Sequence, residues 1–542
     1  MNNISCFLNK KKFSGNQSML YALSLTEKQI KYKPKIGIGS MYHEASPCHS
    51  KLNFLTDKVS FSISQNNFVP FQFNTVSVTD GLAMNTEAMK LSLPSRDLIT
   101  DSIEVISKAH FYDGLICIPA CDKTLPATAM ALFRLNIPSF IIYGGSMRPN
   151  KGKDLVSAFE SYGKFLRNKI TDQERELVVK NACHKMCGSC PGFYTANTMA
   201  IILEILGLTM PNSSSNVSLS NEKIKECNIS SKTIQNLIKN NIKPKDYITR
   251  EHFINAIKTL YIIGGSTNAV MHLLAMAKEA DIKLTLKDFS DNENIPVLMN
   301  FKPHGKYFMH DLYMDGGTRN LIQFLLKNNY IDGNVKTLNQ NTFYDEYLFG
   351  IEKLNEKFIK QMKNDSHIKI LKGNIAQNGC VTKIYSNISS LKKKRVKVFD
   401  SENEFLNFLK TKPKLTSEHC IIIRYLGISV GCPEILNCTS ALKGYWGDKP
   451  DIPCILSDGR LSGGSSGILI SQLDDAYNEK SVLYKIVDDD LINIDFNKNL
   501  IEIKFSSKKK RPIKRKNIPK MTGYLEKYSY LNRNKVLETG FL

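Results

Sequence analysis

The run Gly114-Leu-Ile-Cys-Ile118, followed within three residues by Cys121-Asp122-Lys123, constrains the fold more than any other stretch. A short, wholly apolar run reads as a strand buried on both faces, as parallel sheets require. A thiol, a carboxylate and an amine then stand together where that strand ends. A soft-metal ligand beside a hard-metal ligand points to two different metals at one site. Two further segments carry the same chemistry. Thr75-Val-Ser-Val-Thr-Asp80-Gly81 places an aspartate at a strand end before a helix, and Cys183-His-Lys-Met-Cys187-Gly-Ser-Cys190 gathers three thiols before another.

Around these segments strand-like and helix-like patterns alternate. Residues 36–38, 76–78, 114–118 and 139–143 are short apolar runs, and residues 83–91, 98–107, 128–135 and 195–208 have helical periodicity. Such alternation predicts an α/β layered N-terminal domain with parallel strands. Pro94 within Leu93-Pro-Ser-Arg-Asp97 is expected to end one helix, with Ser95 or Asp97 capping the next. The Ser-, Asn- and Lys-rich residues 210–245 are expected to run over the surface. Beyond residue 366 the pattern changes: 368–371, 381–385, 396–399, 420–425, 452–456, 483–486 and 501–505 are strand-like, with fewer helices between them. This predicts a β-rich, barrel-like C-terminal domain, giving domains of residues 1–366 and 367–542. A chain of 542 residues has ample core for two or three domains.

A net charge of +22 raises the question of nucleic acid. The charge is spread along the chain, and its runs at 392–397 and 508–516 have no interleaved aromatics and no helix-turn-helix, finger or RNP pattern. The basic residues therefore read as solvated surface, although an anionic substrate would gain from the positive field. Thirteen cysteines, an odd count in a long chain, do not make a disulfide framework. The N-terminal stretch has no apolar h-region, and residues 260–277 are interrupted by Gly264-Gly-Ser-Thr-Asn268 and His272, so no membrane span is expected. A reducing cytoplasm is the expected location, where cysteines are inert packing or metal ligands. The Cys183-x3-Cys187-x2-Cys190 spacing also occurs in radical enzymes that use S-adenosylmethionine, but the surrounding pattern does not match theirs. A zinc knuckle lacks a fourth ligand at a usual spacing.

Several segments together carry a resemblance: Thr75–Met84, Met89-Lys-Leu-Ser-Leu-Pro-Ser-Arg96, Cys121-Asp-Lys-Thr-Leu-Pro126, Arg134–Met147, Gly188-Ser-Cys-Pro-Gly-Phe-Tyr-Thr-Ala-Asn-Thr-Met199, Gly264–Leu274, Lys372-Gly-Asn374 and Ser457-Asp-Gly-Arg-Leu-Ser-Gly-Gly464. In this order, over nearly the whole chain, they resemble the dihydroxy-acid dehydratases, whose superfamily also holds 6-phosphogluconate and sugar-acid dehydratases. The resemblance implies dehydration of 2,3-dihydroxy-3-methylbutanoate and 2,3-dihydroxy-3-methylpentanoate to 2-keto acids, a shared step toward valine, isoleucine and leucine. Such chemistry needs a Lewis acid for a poor leaving group, a base for the C2 proton and a cation for the developing charge. The resemblance assigns Cys48, Cys121 and Cys190 to an iron–sulfur cluster, whose three thiolates leave one iron open; Cys48 favours [2Fe–2S], and Cys187 leaves [4Fe–4S] as the alternative. It assigns Asp80, Asp122, Glu434 and a carbamylated Lys123 to Mg2+, and Ser462 to the base. It also implies a homodimer acting on a small dihydroxy acid. Arg96 is read either as steadying a carboxylate or as a helix-start ion pair.

The sequence departs from the family pattern at Asn85-Thr-Glu-Ala88, where Gly-His-Glu-Gly is usual, and at Ala127, where glycine follows the proline. The loop before Glu434 (Gly427-Ile-Ser-Val-Gly-Cys-Pro) is shorter and poorer in glycine, and residues 182–190 hold one extra residue. Cys187 resembles a third local cysteine found in some branches. All the assigned ligands are present, so activity is expected, with reduced stability or rate. The rival readings are a sugar-acid or 6-phosphogluconate dehydratase and, more remotely, a nucleic-acid-binding protein on an inactive dehydratase fold.

Overall fold

The computed structural model of the chain describes residues 4–185, 187–349, 353–447, 452–507 and 509–539. Residues 1–3 of the N-terminal stretch, Met186 of the thiol loop and Lys508 of the second basic run lie outside them. Four parallel strands, β1 (Lys35–Ser40), β2 (Val69–Asn74), β3 (Gly114–Ile118) and β4 (Ser139–Ile141), form a sheet in the order β2-β1-β3-β4. Every residue of β1 and β3 is buried, as expected of central strands covered by helices on both faces. In the register Ser40 lies opposite both Asn74 and Ile118, so the loops after β1, β2 and β3 leave the same edge. Ligands of open α/β sheets bind at that carboxyl edge.

Two local expectations are corrected. The strand before Asp80 lies at β2, not at residues 76–78. β1 ends at Ser40, and after the Thr75 N–H has bonded the Ser40 carbonyl at 2.9 Å there is no backbone left to pair with. Residues 76–79 therefore run beyond the sheet and carry Asp80 over its edge. Nor does Pro94 end a helix: it lies in the first turn of the helix Ser92–Ala109, where a missing N–H leaves no intrahelical bond unmade.

Residues 210–245 are not a surface segment. The helix Asn221–Lys239 buries Cys227, Ile234 and Leu237, and Ser231 on it accepts a 2.8 Å hydrogen bond from Ser62 of the helix Leu52–Ser64. Ser213, Ser214 and Ser215 are fully buried. The Ser214 N–H bonds the Glu204 carboxylate at 3.1 Å, and its hydroxyl donates to the same group. Polar composition conceals burial when every polar group has a partner.

An antiparallel ribbon, β5 (Val297–Met299) with β6 (Ile359–Lys363), leads into the C-terminal part. There β7 (Ile370–Gly373), β8 (Ala376–Lys383), β9 (Ser390–Phe399), β10 (His419–Ile423), β11 (Glu434–Ile435), β12 (Cys454–Ser457), β13 (Arg460–Leu461), β14 (Leu469–Ser471), β15 (Leu491–Asp495) and β16 (Leu500–Lys504) follow. Eight of them close a barrel in the order β10-β12-β14-β8-β7-β16-β15-β9. The apolar residues 483–486 are not one of its strands: Leu483–Lys485 form a 3-10 turn whose Leu483 and Ile486 carbonyls each accept from Arg424 at 2.8 Å. One apolar core fills the N-terminal layers and reaches Ile368, Ile370 and Val381 at the barrel, and a second fills the barrel. The pair β11–β13 stands outside the barrel and faces the N-terminal layers. Among the described residues no helix is long and apolar enough to cross a membrane.

Candidate active site

Beyond β3 the chain turns through Cys121-Asp122-Lys123 into the helix Thr124–Leu135. Thr124 locks the turn: its hydroxyl oxygen accepts the N–H groups of Cys121 at 2.9 Å and Ala120 at 3.2 Å. Asp80, carried over the edge beyond β2, is held by the Ser92 hydroxyl, which donates to Oδ1 at 2.6 Å. Glu434 arrives from the C-terminal part on β11, where the parallel register sets it opposite Arg460 of β13. One carboxylate oxygen each from Asp80, Asp122 and Glu434 lies within 4.8 Å of the others, and all three residues are buried.

The fully buried Lys123 ammonium lies 2.6 Å from Asp80, 2.8 Å from Asp122 and 3.4 Å from Glu434. The equally buried Arg460 donates to Glu434 at 2.9 Å, to the Cys432 carbonyl at 2.8 Å and to Ser92 at 3.4 Å. Asn268 Nδ2 adds a 2.7 Å bond to Glu434. Burial, with the neighbouring Asp80 charge, pushes the Asp122 carboxyl up to about 7. Burial opposes ionisation of Asp80 too, but Lys123 and Arg460 outweigh it and hold Asp80 below the usual carboxylate range. Burial likewise disfavours the Lys123 charge, and the Asp122 and Asp80 carboxylates reverse that and raise it. Three carboxylates thus face two cations, an oxygen-donor set that suits a hard divalent ion.

Cys48, Cys121 and Cys190 line one cavity of about 210 Å³ with Asp80, Asp122, Glu434 and Ser462. The thiol loop is tied to the sheet edge by Met147 N–H to the Ser189 carbonyl at 2.8 Å and Gly188 N–H to the Pro47 carbonyl at 3.1 Å. Contact with Cys48, and then burial, pushes the Cys121 thiol well up. Burial, with Cys48 nearby, does the same to Cys190. Such thiols stay protonated until a metal takes the proton's place. Clustered sulfur beside clustered oxygen is the donor chemistry of a soft-metal centre next to a hard one. Ser462 follows β13; its N–H bonds the Ile435 carbonyl at 3.2 Å, and its Oγ accepts the Gly464 N–H at 3.3 Å.

Other positions belong elsewhere. Cys187 is turned to the Ser218 hydroxyl at 3.4 Å and does not line the cavity, whereas Cys183 does. Arg96 pairs with Asp97 at 2.9 Å and lies 3.4 Å from His272 Nδ1, which makes it part of the fold. Ala127 is buried in its helix, where its carbonyl accepts from Thr100 at 3.0 Å. Sequence reasoning passed over Arg460, Asn268 and Lys383. The first two lie inside motifs that had been singled out. Lys383 gives one faint signal, a charge inside the strand-like run 381–385.

A profile described as the dihydroxy-acid/6-phosphogluconate dehydratase N-terminal domain matches residues 33–346, and its C-terminal counterpart matches residues 355–536. A dihydroxy-acid dehydratase of Francisella tularensis subsp. novicida is 41% identical over 520 residues, which covers 93% of this chain and 92% of that protein. One from Flavobacterium psychrophilum is 39% identical over 530 residues, 95% of this chain and 94% of that protein. A relative named as the mitochondrial dihydroxy-acid dehydratase of Saccharomyces cerevisiae is 38% identical over 558 residues, 98% of this chain and 95% of that protein. With both profiles in order along a chain whose acidic triad and thiols line one cavity, the protein belongs to the dihydroxy-acid/6-phosphogluconate dehydratase family.

Proposed function

We propose that the protein is a hydro-lyase that converts 2,3-dihydroxy-3-methylbutanoate and 2,3-dihydroxy-3-methylpentanoate into their 2-keto acids, the shared step toward the branched-chain amino acids. The observation that carries this reading is the one cavity shared by Cys48, Cys121, Cys190, Asp80, Asp122, Glu434 and Ser462. Cys48, Cys121 and Cys190 would hold an iron–sulfur cluster, [2Fe–2S] on this three-thiol set, and Asp80, Asp122, Glu434 and Lys123 would hold Mg2+. When bound, these groups supply Lewis acidity for the departing C3 hydroxyl and for the negative charge that develops on the substrate. Lys123 then serves as a ligand in its carbamylated form, because a bare ammonium would repel the cation with which it shares three carboxylates.

Ser462, as the base, takes the C2 proton on Oγ. The C2–C3 double bond forms as the C3–O bond breaks, and the departing hydroxyl takes the proton that the initially deprotonated Ser462 collected and leaves as water. The resulting enol gives up its O–H proton as it collects a solvent proton at C3 to become the keto acid. Arg460 and Asn268 hold Glu434 in place, and Ser92 holds Asp80. Met147, Leu155 and Leu436 line the same cavity and would limit water around a bound substrate.

The division of the chain near residue 366, a homodimer and a cytoplasmic location complete the proposal. The closed barrel beginning at Ile370 supports the first, and the odd cysteine count of a reducing compartment supports the last. The test is proton NMR of the anaerobically reconstituted, Mg2+-loaded protein with 2,3-dihydroxy-3-methylbutanoate in D2O. The reading expects 2-keto acid carrying one solvent deuterium at C3; no keto acid from a protein with its cluster in place overturns it.

A further inference from the structure

Lys383 ends β8 as a fully buried amine, and its Nζ donates to the Gly463 carbonyl at 2.6 Å. The peptide unit whose carbonyl it grips is the one whose N–H, on Gly464, donates to Ser462 Oγ at 3.3 Å. We propose that Lys383 is a positioning residue for Ser462: its ammonium polarises the Gly463–Gly464 peptide and so strengthens the N–H that supports the serine oxygen when it is deprotonated. The inference rests on the reading of Ser462 as the base.

A cation on a carbonyl draws electron density through the amide and makes the opposite N–H a better donor, an effect that grows where water is excluded. A fixed donor aimed at a developing oxyanion contributes most when it needs no reorganisation. This turn is fixed: a side chain at Gly463 would meet the Thr195 backbone nitrogen at 2.7 Å. On the cavity side Ser462 shares its lining with Asp80, Asp122 and Glu434, the carboxylates proposed to hold Mg2+. On the far side stand Lys383 and two buried histidines kept neutral by burial: His304, held well below its usual range, and His367, lowered to about 3. His367 and Tyr385 bond the Gly265 and Gly264 carbonyls, each at 2.7 Å, so the positive charge nearest the turn on that side is Lys383. Burial lowers its amine to about 7, with the Glu434 charge opposing this, so the charge supports the turn fully below that pH and is lost as pH rises through it. Placing an ammonium against a neutral carbonyl in the interior is costly, and the placement has a purpose if the charge acts on the turn.

The test compares Lys383→Gln, which keeps a neutral donor, with Lys383→Arg, which keeps the charge, in the Mg2+-loaded holoenzyme. Lys383→Gln should lower kcat on the order of 10- to 100-fold, move KM less than about threefold and shift the ascending limb of the kcat–pH profile up by about one unit. Lys383→Arg should leave that limb in place. Lys383→Met, an apolar isostere, serves if the amide does not fold. A second readout needs no turnover: in a Ser462→Cys background, peptide-resolved alkylation by iodoacetamide from about pH 6 to about pH 10 measures the introduced thiol's pKa. Adding Lys383→Gln should raise it; an unchanged thiol pKa, or an unshifted limb, overturns the inference. Turnover surviving in Ser462→Ala would instead overturn the reading of Ser462, whereas an inactive Ser462→Ala with an unshifted Lys383→Gln limb would overturn the inference alone.

Discussion

Cys183, Cys187 and Cys190 lie close in sequence, yet the fold separates them: Cys183 and Cys190 line the cavity, and Cys187 is spent on Ser218 at 3.4 Å. This predicts opposite outcomes for two conservative substitutions. Cys187→Ser should leave the visible cluster spectrum and turnover within about twofold, while Cys190→Ser should bleach the spectrum and reduce turnover by on the order of a hundredfold or more. Anaerobic spectra and rates of the two variants check this, and bleaching by Cys187→Ser would move the ligand set from Cys48 to the thiol loop. At this scale residue types that hold metals can be picked out in a sequence, because thiols and carboxylates bunch at strand ends. Their supports are harder to see. Arg460 is an unremarkable basic residue until the β11–β13 register sets it opposite Glu434. Lys383 lies 80 positions before the Gly463 carbonyl it grips, a pairing that only barrel closure creates.

Two helices join the chain's halves with almost no space between them. The helix Leu155–Leu166 brings Gly163 against the Ala441 carbonyl, and the helix Asn437–Trp446 brings Gly444 against the Glu160 carbonyl. Either glycine given a methyl would collide with backbone, which cannot move aside as a side chain could. Gly444→Ala should therefore lower stability by roughly 1–3 kcal/mol, measured as a lower denaturant midpoint; an unchanged midpoint would show that the crossing has slack. Because Glu434 lies just before that helix, the same variant should weaken Mg2+ retention. Elements were legible where burial is complete, as in β3, whose every residue is apolar or glycine. They were misread where pairing rather than composition decides. β2 (Val-Pro-Phe-Gln-Phe-Asn) is buried only at Val69 and carries a proline, whereas residues 76–78 have a strand's composition but no partner strand.

Across the whole molecule, the parallel sheet delivers Cys48, Asp80 and Cys121–Lys123 from loops leaving one edge, and the β11–β13 pair beside the barrel delivers Glu434 and Ser462. Neither half holds a complete site, which is why its assembly could not be read from segment patterns taken one at a time. The excess positive charge, +22 overall, is largely solvated, whereas Lys123, Arg460 and Lys383 are fully buried. The central claim concerns the substrate, and one measurement addresses it: anaerobic turnover of the reconstituted, Mg2+-loaded protein on 2,3-dihydroxy-3-methylbutanoate and on 6-phosphogluconate, side by side, with the cluster spectrum recorded throughout. Keto acid from the branched substrate alone is the predicted result. Turnover of 6-phosphogluconate alone, or of neither substrate while the cluster spectrum persists, would contradict it.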